Sequence, residues 1–514
     1  MAAKLRGADI VARSLARAGT RHVFTLSGNH VMPVFDAALD ARLPLVHVRH
    51  EAAAVHMADA WARITGEAGI ALVTGGPGHA NAVSALYTAL AAESAVVLLS
   101  GHAPLTELGM GAFQEMAQAE MAAPACKASW TVRSAATLGE DLARAIRMAR
   151  TGRPGPVHLS LPSDLLEAEL AADLPARESF LPAPFVAQAG ADEEILDALH
   201  KARKPLLLAG PALGNARGRA LLRQFEEATR VPAIVMESPR GVNDPCLGLL
   251  AEVLAASDVV VLAGKRRDFT LRFGAAFAAG CRVVDTESQV EQWIAPAARK
   301  PWAKSGWLEE VRAAVAFRPA QWRTLASNAG GPLHPVEVGR AVQKLLDAPD
   351  AVLVADGGEF GQWAQATLAA PHRVINGPAG SIGAALPFAA AAKLALPGSN
   401  VVAMLGDGTF GFHSSEIETA VRCGLPYLAV VGNDACWNAE YQIQLRSYGA
   451  ARAHGLELLP ARYDLAAAGF GAHGEYVEHA AQLAPALERA ARSGRVACVN
   501  VMIERLPAPV YRRA

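Results

Sequence analysis

The sequence predicts an α/β protein made of three doubly wound parallel-sheet domains, and three observations carry that expectation. Short apolar runs of strand length alternate with helix-length stretches along nearly the whole chain, the pattern of parallel sheets covered by helices on both faces. Several runs stop abruptly at Gly, Asp or Asn, as in "VVAMLGDG" and "YLAVVGND", which places polar residues at the carboxyl ends of strands, where such sheets bind ligands. Finally, 514 residues are too many for one hydrophobic core.

The opening "MAAKLRGADIVARSLARAGT" has amphipathic helical spacing with internal Arg, unlike a signal peptide. "HVFTLSG", "PLVHVRHE", "GIALVTGG", "SAVVLLSG" and "GPVHLSLP" read as the strands of a first domain, 1–168. "LPSDLLEAELAADLPARESFLPAPF" is rich in Pro, Ala and acids without sustained periodicity, so 169–190 reads as a linker. A second domain, 191–318, carries "PLLLAGPAL", "VPAIVME", "SDVVVLAG" and "CRVVDTE". After a second linker, 319–334, a third domain, 335–514, carries "AVLVADGG", "VVAMLGDG", "YLAVVGND" and "VACVNVMI".

Hydrophobic residues make up 52% of the chain and charged residues 19%, which points to surface buried between domains or subunits. The formal net charge is −1 and no basic block occurs, so neither nucleic acid nor an anionic membrane is expected as a partner. No apolar run reaches membrane-span length, and a cytoplasmic protein is expected. The six cysteines lie far apart without a CxxC pair, and they read as reduced thiols rather than disulfides or a zinc site.

The stretch "GDGTFGFHSSEIETAVRCGLPYLAVVGND" holds the chemistry. A buried strand ends at Gly406, Asp407 and Gly408, a helix-length segment follows, and the next strand ends at Asn433 and Asp434. One βαβ unit of this kind returns the chain beside its start, so Asp407 and Asp434 are expected to be neighbours. Two carboxylates beside the backbone N–H groups of a Gly-rich turn suit Mg²⁺ carrying a phosphate. A GDG triplet taken alone reads as an ordinary turn.

The spacing resembles the signature of the thiamine diphosphate (ThDP) enzymes, in the acetolactate synthase and benzaldehyde lyase branch, and the resemblance spans essentially the whole chain. It implies a pyrimidine-binding, a middle and a diphosphate-binding domain. Asp407, Asp434 and the Cys436 carbonyl then hold Mg²⁺, with Gly406, Gly408 and Thr409 in the same turn. Asp434 departs from the family, which usually has Asn there. In "RHEAAAVHMADAWAR" the family glutamate that bonds N1′ of the aminopyrimidine matches Glu51, a residue otherwise readable as an acid favoured at a helix start. "TGGPGHAN" matches the loop beside the pyrimidine through Gly76, Pro77, Gly78 and Asn81; it lacks the G-x-G-x-x-G of a dinucleotide loop. "NGPAGSIGAALPFA" matches the segment that bends the cofactor, with Ile382 as wedge and the Gly380 carbonyl as acceptor; the plain alternative is a core Ile at a helix start. "VADGGEFGQW" brings Gly358 to the diphosphate, and Glu359, where relatives often have Gln, is expected to turn toward substrate.

The same resemblance implies active sites shared between subunits, hence a homodimer at least and a homotetramer by expectation. Around the substrate, Asn29 and His30 follow the first strand, where a His can relay protons at neutral pH, and Gln114 in "FQE" is placed to orient a carbonyl or carboxylate. His413 reads either as a pocket residue or as a cap of the next helix. No flavin pattern stands out in the middle domain, so FAD is not expected. The chain ends soon after "VACVNVMIERLPAPVYRRA", which leaves little for a C-terminal lid and implies an open site. The expected activity is ThDP- and Mg²⁺-dependent decarboxylation and carboligation of 2-oxo acids, acetolactate synthase-like. The alternatives are a lyase of 2-hydroxy ketones resembling benzaldehyde lyase, 2-hydroxyacyl-CoA lyase or oxalyl-CoA decarboxylase, and a catalytically silent regulatory homologue.

Overall fold

The computed structural model describes residues 4–184, 189–287, 289–302 and 305–511. The chain divides into two compact units, Met1–Pro184 and Phe185–Ala514.

In the first unit, strands β2 (Val23–Thr25), β3 (Leu45–His47), β4 (Gly69–Val73), β5 (Val96–His102), β6 (Ala128–Thr131) and β7 (Val157–Pro162) form one parallel sheet in the order β3-β2-β4-β5-β7-β6. β4, β5 and β7 are buried along their whole length. That is why β4 and the first four residues of β5 read as continuous apolar runs instead of alternating ones. The opening segment is helical over Gly7–Arg17 and packs Ile10, Val11 and Leu15 into the core. Before it, β1 (Lys4–Arg6) pairs antiparallel with β8 (Glu169–Ala171). Part of the stretch read as linker is thus ordered against this unit, and Phe180, 2% exposed, sits in its core.

The second unit holds two parallel sheets. β9 (Pro205–Ala209), β10 (Ala233–Val235), β11 (Val259–Ala263) and β12 (Arg282–Thr286) pair in the order β10-β9-β11-β12, with Trp293 and Phe225 buried on one side and Trp307 on the other. β13 (Val352–Asp356), β14 (His372–Ile375), β15 (Val401–Gly406), β16 (Leu428–Asn433), β17 (His473–Val477) and β18 (Ala497–Met502) pair in the order β14-β13-β15-β16-β18-β17. The register matters for function. Gly406 stands opposite Gly432 in the β15–β16 pair, so the residues that follow each strand, Asp407 and Asp434, leave the sheet side by side.

No helix among the described residues is long and apolar enough to cross a membrane.

Candidate functional site

Each large sheet gathers polar residues at its carboxyl edge. In the first unit, Glu51 follows β3 and opens helix Glu51–Thr65, whose start is capped by His50 Nδ1 accepting from Ala52 N and whose end is Gly66 with φ 74°. Glu51 is buried, and Asn81 Nδ2 donates to its Oε2 at 3.1 Å. Asn81 lies in helix Pro77–Ala91, which starts with Pro at its first position after Gly76. Gly76 has φ 57°, and its N–H donates to Gln118 Oε1 at 2.8 Å; a Cβ there would come within 2.6 Å of the Gln114 carbonyl. Only glycine fits that turn.

His30 follows β2 in a short 3₁₀ turn beginning at the exposed Asn29. Its ring is buried, its Nδ1 lies 3.2 Å from Thr74 Oγ1, and it stacks on Phe113 at 6.1 Å. Burial holds the imidazole below its ordinary pKa, so it is neutral at physiological pH. Gln114 adopts a left-handed φ of 57°, and its buried amide oxygen has no partner among the described residues. A strained residue with an orphaned polar atom is a mark of a binding position. Glu51, His30, Gly76, Asn81 and Gln114 thus come from the ends of four strands of one sheet.

In the second unit, Gly358, Ile382, Gly406, Asp407, Gly408, Thr409, Asp434 and Cys436 line one cleft, and Gly380 stands outside that lining. Asp407 accepts from Gly408 N at 2.9 Å and from Cys436 N at 3.3 Å. Burial pushes the Asp407 carboxyl up to about 6; burial and then the Asp407 charge push Asp434 up to about 7. Burial and a neighbouring carboxylate charge both disfavour the ionised pair, and a bound cation would offset them. Among the described residues no three His, Cys, Asp or Glu side chains converge as a metal cluster. Two carboxylates plus a carbonyl fit a hard cation that keeps phosphate oxygens among its ligands.

Three side chains that the sequence left without a firm role position the segment carrying Ile382. Asp356, fully buried at the end of β13, accepts from Gly383 N at 3.0 Å and Ala385 N at 2.9 Å, and burial raises its carboxyl to about 6. His413 Nδ1 donates to the Gly383 carbonyl at 2.7 Å. Asn376 Nδ2 donates to the Ser381 carbonyl at 3.0 Å. Asp356 was legible as a polar strand end; the other two pair with residues that no local pattern connects to them. Glu359, expected to turn toward substrate, lines the same cleft, is buried and pairs with Arg240 at 2.8 Å.

Two family descriptions fit these two edges. "Thiamine pyrophosphate enzyme, N-terminal TPP binding domain" matches residues 5–121, and "Thiamine pyrophosphate enzyme, C-terminal TPP binding domain" matches residues 356–501. A probable acetolactate synthase of Mycobacterium bovis is 31% identical, the alignment covering 98% of this chain and 96% of the relative. The chain belongs to the thiamine pyrophosphate enzyme family. Relatives of a second kind align over similar lengths: 2-hydroxyacyl-CoA lyase 2 of Homo sapiens is 30% identical over 97% of this chain and 90% of the relative, and that of Bos taurus 32% over the same shares. The membership makes this chain a ThDP-dependent enzyme, and its two edges correspond to the two matched binding domains.

Proposed function

We propose that this enzyme makes and breaks C–C bonds next to a carbonyl, with 2-oxo acids as donors in the manner of an acetolactate synthase. The observation that carries this reading is the carboxyl edge of the first sheet, where Glu51 held by Asn81, the neutral His30 and the orphaned Gln114 amide come together. ThDP, when bound, supplies a thiazolium carbon that adds to a carbonyl group and takes up the electrons of the C–C bond that breaks.

The chain's own residues do the rest. Asp407, Asp434 and the Cys436 carbonyl would hold Mg²⁺ beside the diphosphate, and Gly358 would allow its close approach. Ile382, on the segment fixed by Asp356, Asn376 and His413, would pack against the rings of the cofactor. Glu51 would hold and return a proton at the aminopyrimidine, and Asn81 keeps one of its carboxylate oxygens occupied. The Gln114 amide orients the carboxylate or carbonyl of the substrate. His30 moves a proton to or from the substrate oxygen, which its neutral imidazole can do in either direction. Glu51 and Asp407 serve one cofactor from two chains, so the working form is at least a homodimer and, in this reading, a homotetramer in the cytoplasm.

A second reading, a lyase acting on 2-hydroxyacyl thioesters or 2-hydroxy ketones, is favoured by His30, because a buried neutral base suits removal of a proton from a substrate hydroxyl. Proton NMR of the protein with ThDP, Mg²⁺ and pyruvate, beside tubes with benzoin and with a 2-hydroxyacyl-CoA, separates the two. Acetolactate from pyruvate supports the synthase. Aldehyde from the other tubes, with pyruvate untouched, overturns it in favour of the lyase.

A further inference from the structure

Glu359 is the first residue of helix Glu359–Thr367, directly after Gly358, and both line the cleft with Asp407, Thr409 and Asp434. Its side chain is 3% exposed. A cation between Asp407 and Asp434 balances those two carboxylates, but it leaves Glu359 as a further buried negative charge beside the place where two phosphates bind. A helix N-terminus favours an anion there. The same N–H groups, however, are the ones a phosphate uses. An uncompensated Glu359 would therefore oppose the ligand that its own helix attracts.

The compensating charge comes from 119 residues away. Arg240 Nη2 donates to Glu359 Oε2 at 2.8 Å from the loop that follows β10. That loop is rigid. Arg240 N donates to Ser238 Oγ at 3.2 Å and Gly241 N to the Ser238 carbonyl at 3.1 Å. Gly241, at φ 55°, presses on the backbone of Thr270, where a Cβ would come to 2.2 Å of the carbonyl oxygen. The neighbouring Pro239 also abuts the segment before Ile382: a Cβ on Gly380 would lie 3.8 Å from Pro239 Cβ. One loop of the β9–β12 sheet thus touches the diphosphate turn through Arg240 and the wedge segment through Pro239.

We infer that Arg240 is a positioning residue of the cofactor site, whose ion pair with Glu359 removes a buried negative charge from the diphosphate cleft and so permits tight ThDP binding. This rests on the assignment of that cleft to ThDP. Arg240 touches neither cofactor nor substrate in this role. It acts through Glu359, and it makes cofactor affinity depend on a loop from a different sheet.

The test is calorimetric titration of full-length protein with ThDP in the presence of Mg²⁺, for wild type, Arg240→Met, Glu359→Gln and the double variant. Methionine keeps the apolar stem and removes the charge. Arg240→Met is expected to weaken ThDP binding by roughly tenfold to a hundredfold, the scale of one unit charge several ångströms from a phosphate at intermediate dielectric. Glu359→Gln is expected to bind within about threefold of wild type, and the double variant to recover to the level of Glu359→Gln, because neither then carries the uncompensated acid. Arg240→Met binding as wild type does, or a double variant as weak as Arg240→Met, overturns the inference; the latter result would mark Arg240 as a packing residue. Wild type giving no heat with ThDP and Mg²⁺ would instead overturn the assignment of the cleft.

Discussion

Asn81 Nδ2 donates to Glu51 Oε2 at 3.1 Å, reaching from helix Pro77–Ala91 to the first residue of helix Glu51–Thr65. The bond fixes which oxygen of the carboxylate is free. Replacing Glu51 with Gln is expected to abolish exchange of the C2 proton of bound ThDP, read by NMR after acid quench. Asn81→Ala keeps the carboxylate and removes one donor, a loss of about 1–2 kcal/mol. Exchange about tenfold slower is expected, with ThDP still bound. Unchanged exchange in Glu51→Gln would remove Glu51 from the proton path.

Asp434 puts a second carboxylate beside Asp407 in the cleft. Its carboxyl is pushed up to about 7 by burial and by Asp407, so in the metal-free protein the pair opposes folding. Asp434→Asn relieves that repulsion. The metal-free variant is expected to melt higher than the metal-free wild type, by an amount on the order of 1–2 kcal/mol, and to gain less from added Mg²⁺ and ThDP. Thermal melting with and without the two ligands shows whether the order of the curves crosses.

How much of this was legible depended on burial. β5, β13, β15, β16 and β18 are buried along nearly their whole length, and their apolar runs of four or more residues, or three in β18, stood out in the sequence. The missed strands β6, β14 and β17 are all sheet edges, with compositions "ASWT", "HRVI" and "HGEYV" that a half-buried strand tolerates. The glycine turns and Asp407 were legible because a tight turn demands glycine and Asp407 stands at the abrupt polar end of an apolar strand. The Arg240–Glu359 pair was not: Glu359 stood out as an unexplained acid, yet nothing local points to a partner 119 residues earlier. Neither did any pattern join His413 to Gly383, since a tertiary hydrogen bond between a side chain and a backbone carbonyl leaves no periodic trace.

His413 offers a third prediction. Its Nδ1–H satisfies the buried Gly383 carbonyl, one residue past Ile382, while Asp356 holds the N–H of the same residue. His413→Ala strands that carbonyl, at a cost of about 1–3 kcal/mol. A lower melting temperature and ThDP binding several-fold weaker are expected, with the residual kcat changed less than the apparent KM for ThDP. A fall in kcat alone would point to direct contact with substrate.

The first unit also carries a buried histidine pair that gives stability a definite pH dependence. His79 and His158 are fully buried with ring centroids 4.5 Å apart; His79 Nδ1 lies 2.8 Å from Ser100 Oγ, and His158 Nδ1 lies 2.8 Å from Ser129 Oγ. Burial pushes His79 down from 6.5 to about 4, and burial followed by its His79 and His102 neighbours pushes His158 well down. Both are neutral in the fold, so the unfolded chain takes up their protons first as pH falls. Their contribution is complete above pH 6.5 and is lost as pH drops toward 4; for His79 alone this is about 3 kcal/mol. The raised carboxylates Asp356, Asp407 and Asp434 act with the opposite sign, gaining stability as they protonate below about 6 to 7. The melting curve of the wild type is therefore a sum of opposed slopes, and the histidine part is isolated by comparison. His79→Asn cannot take a proton in this range, so its melting temperature is expected to fall less between pH 7.5 and 5 than that of the wild type, even if it starts lower. Parallel curves would mean that His79 titrates in the fold as it does in the unfolded chain, and that it sets no acid limit on the fold.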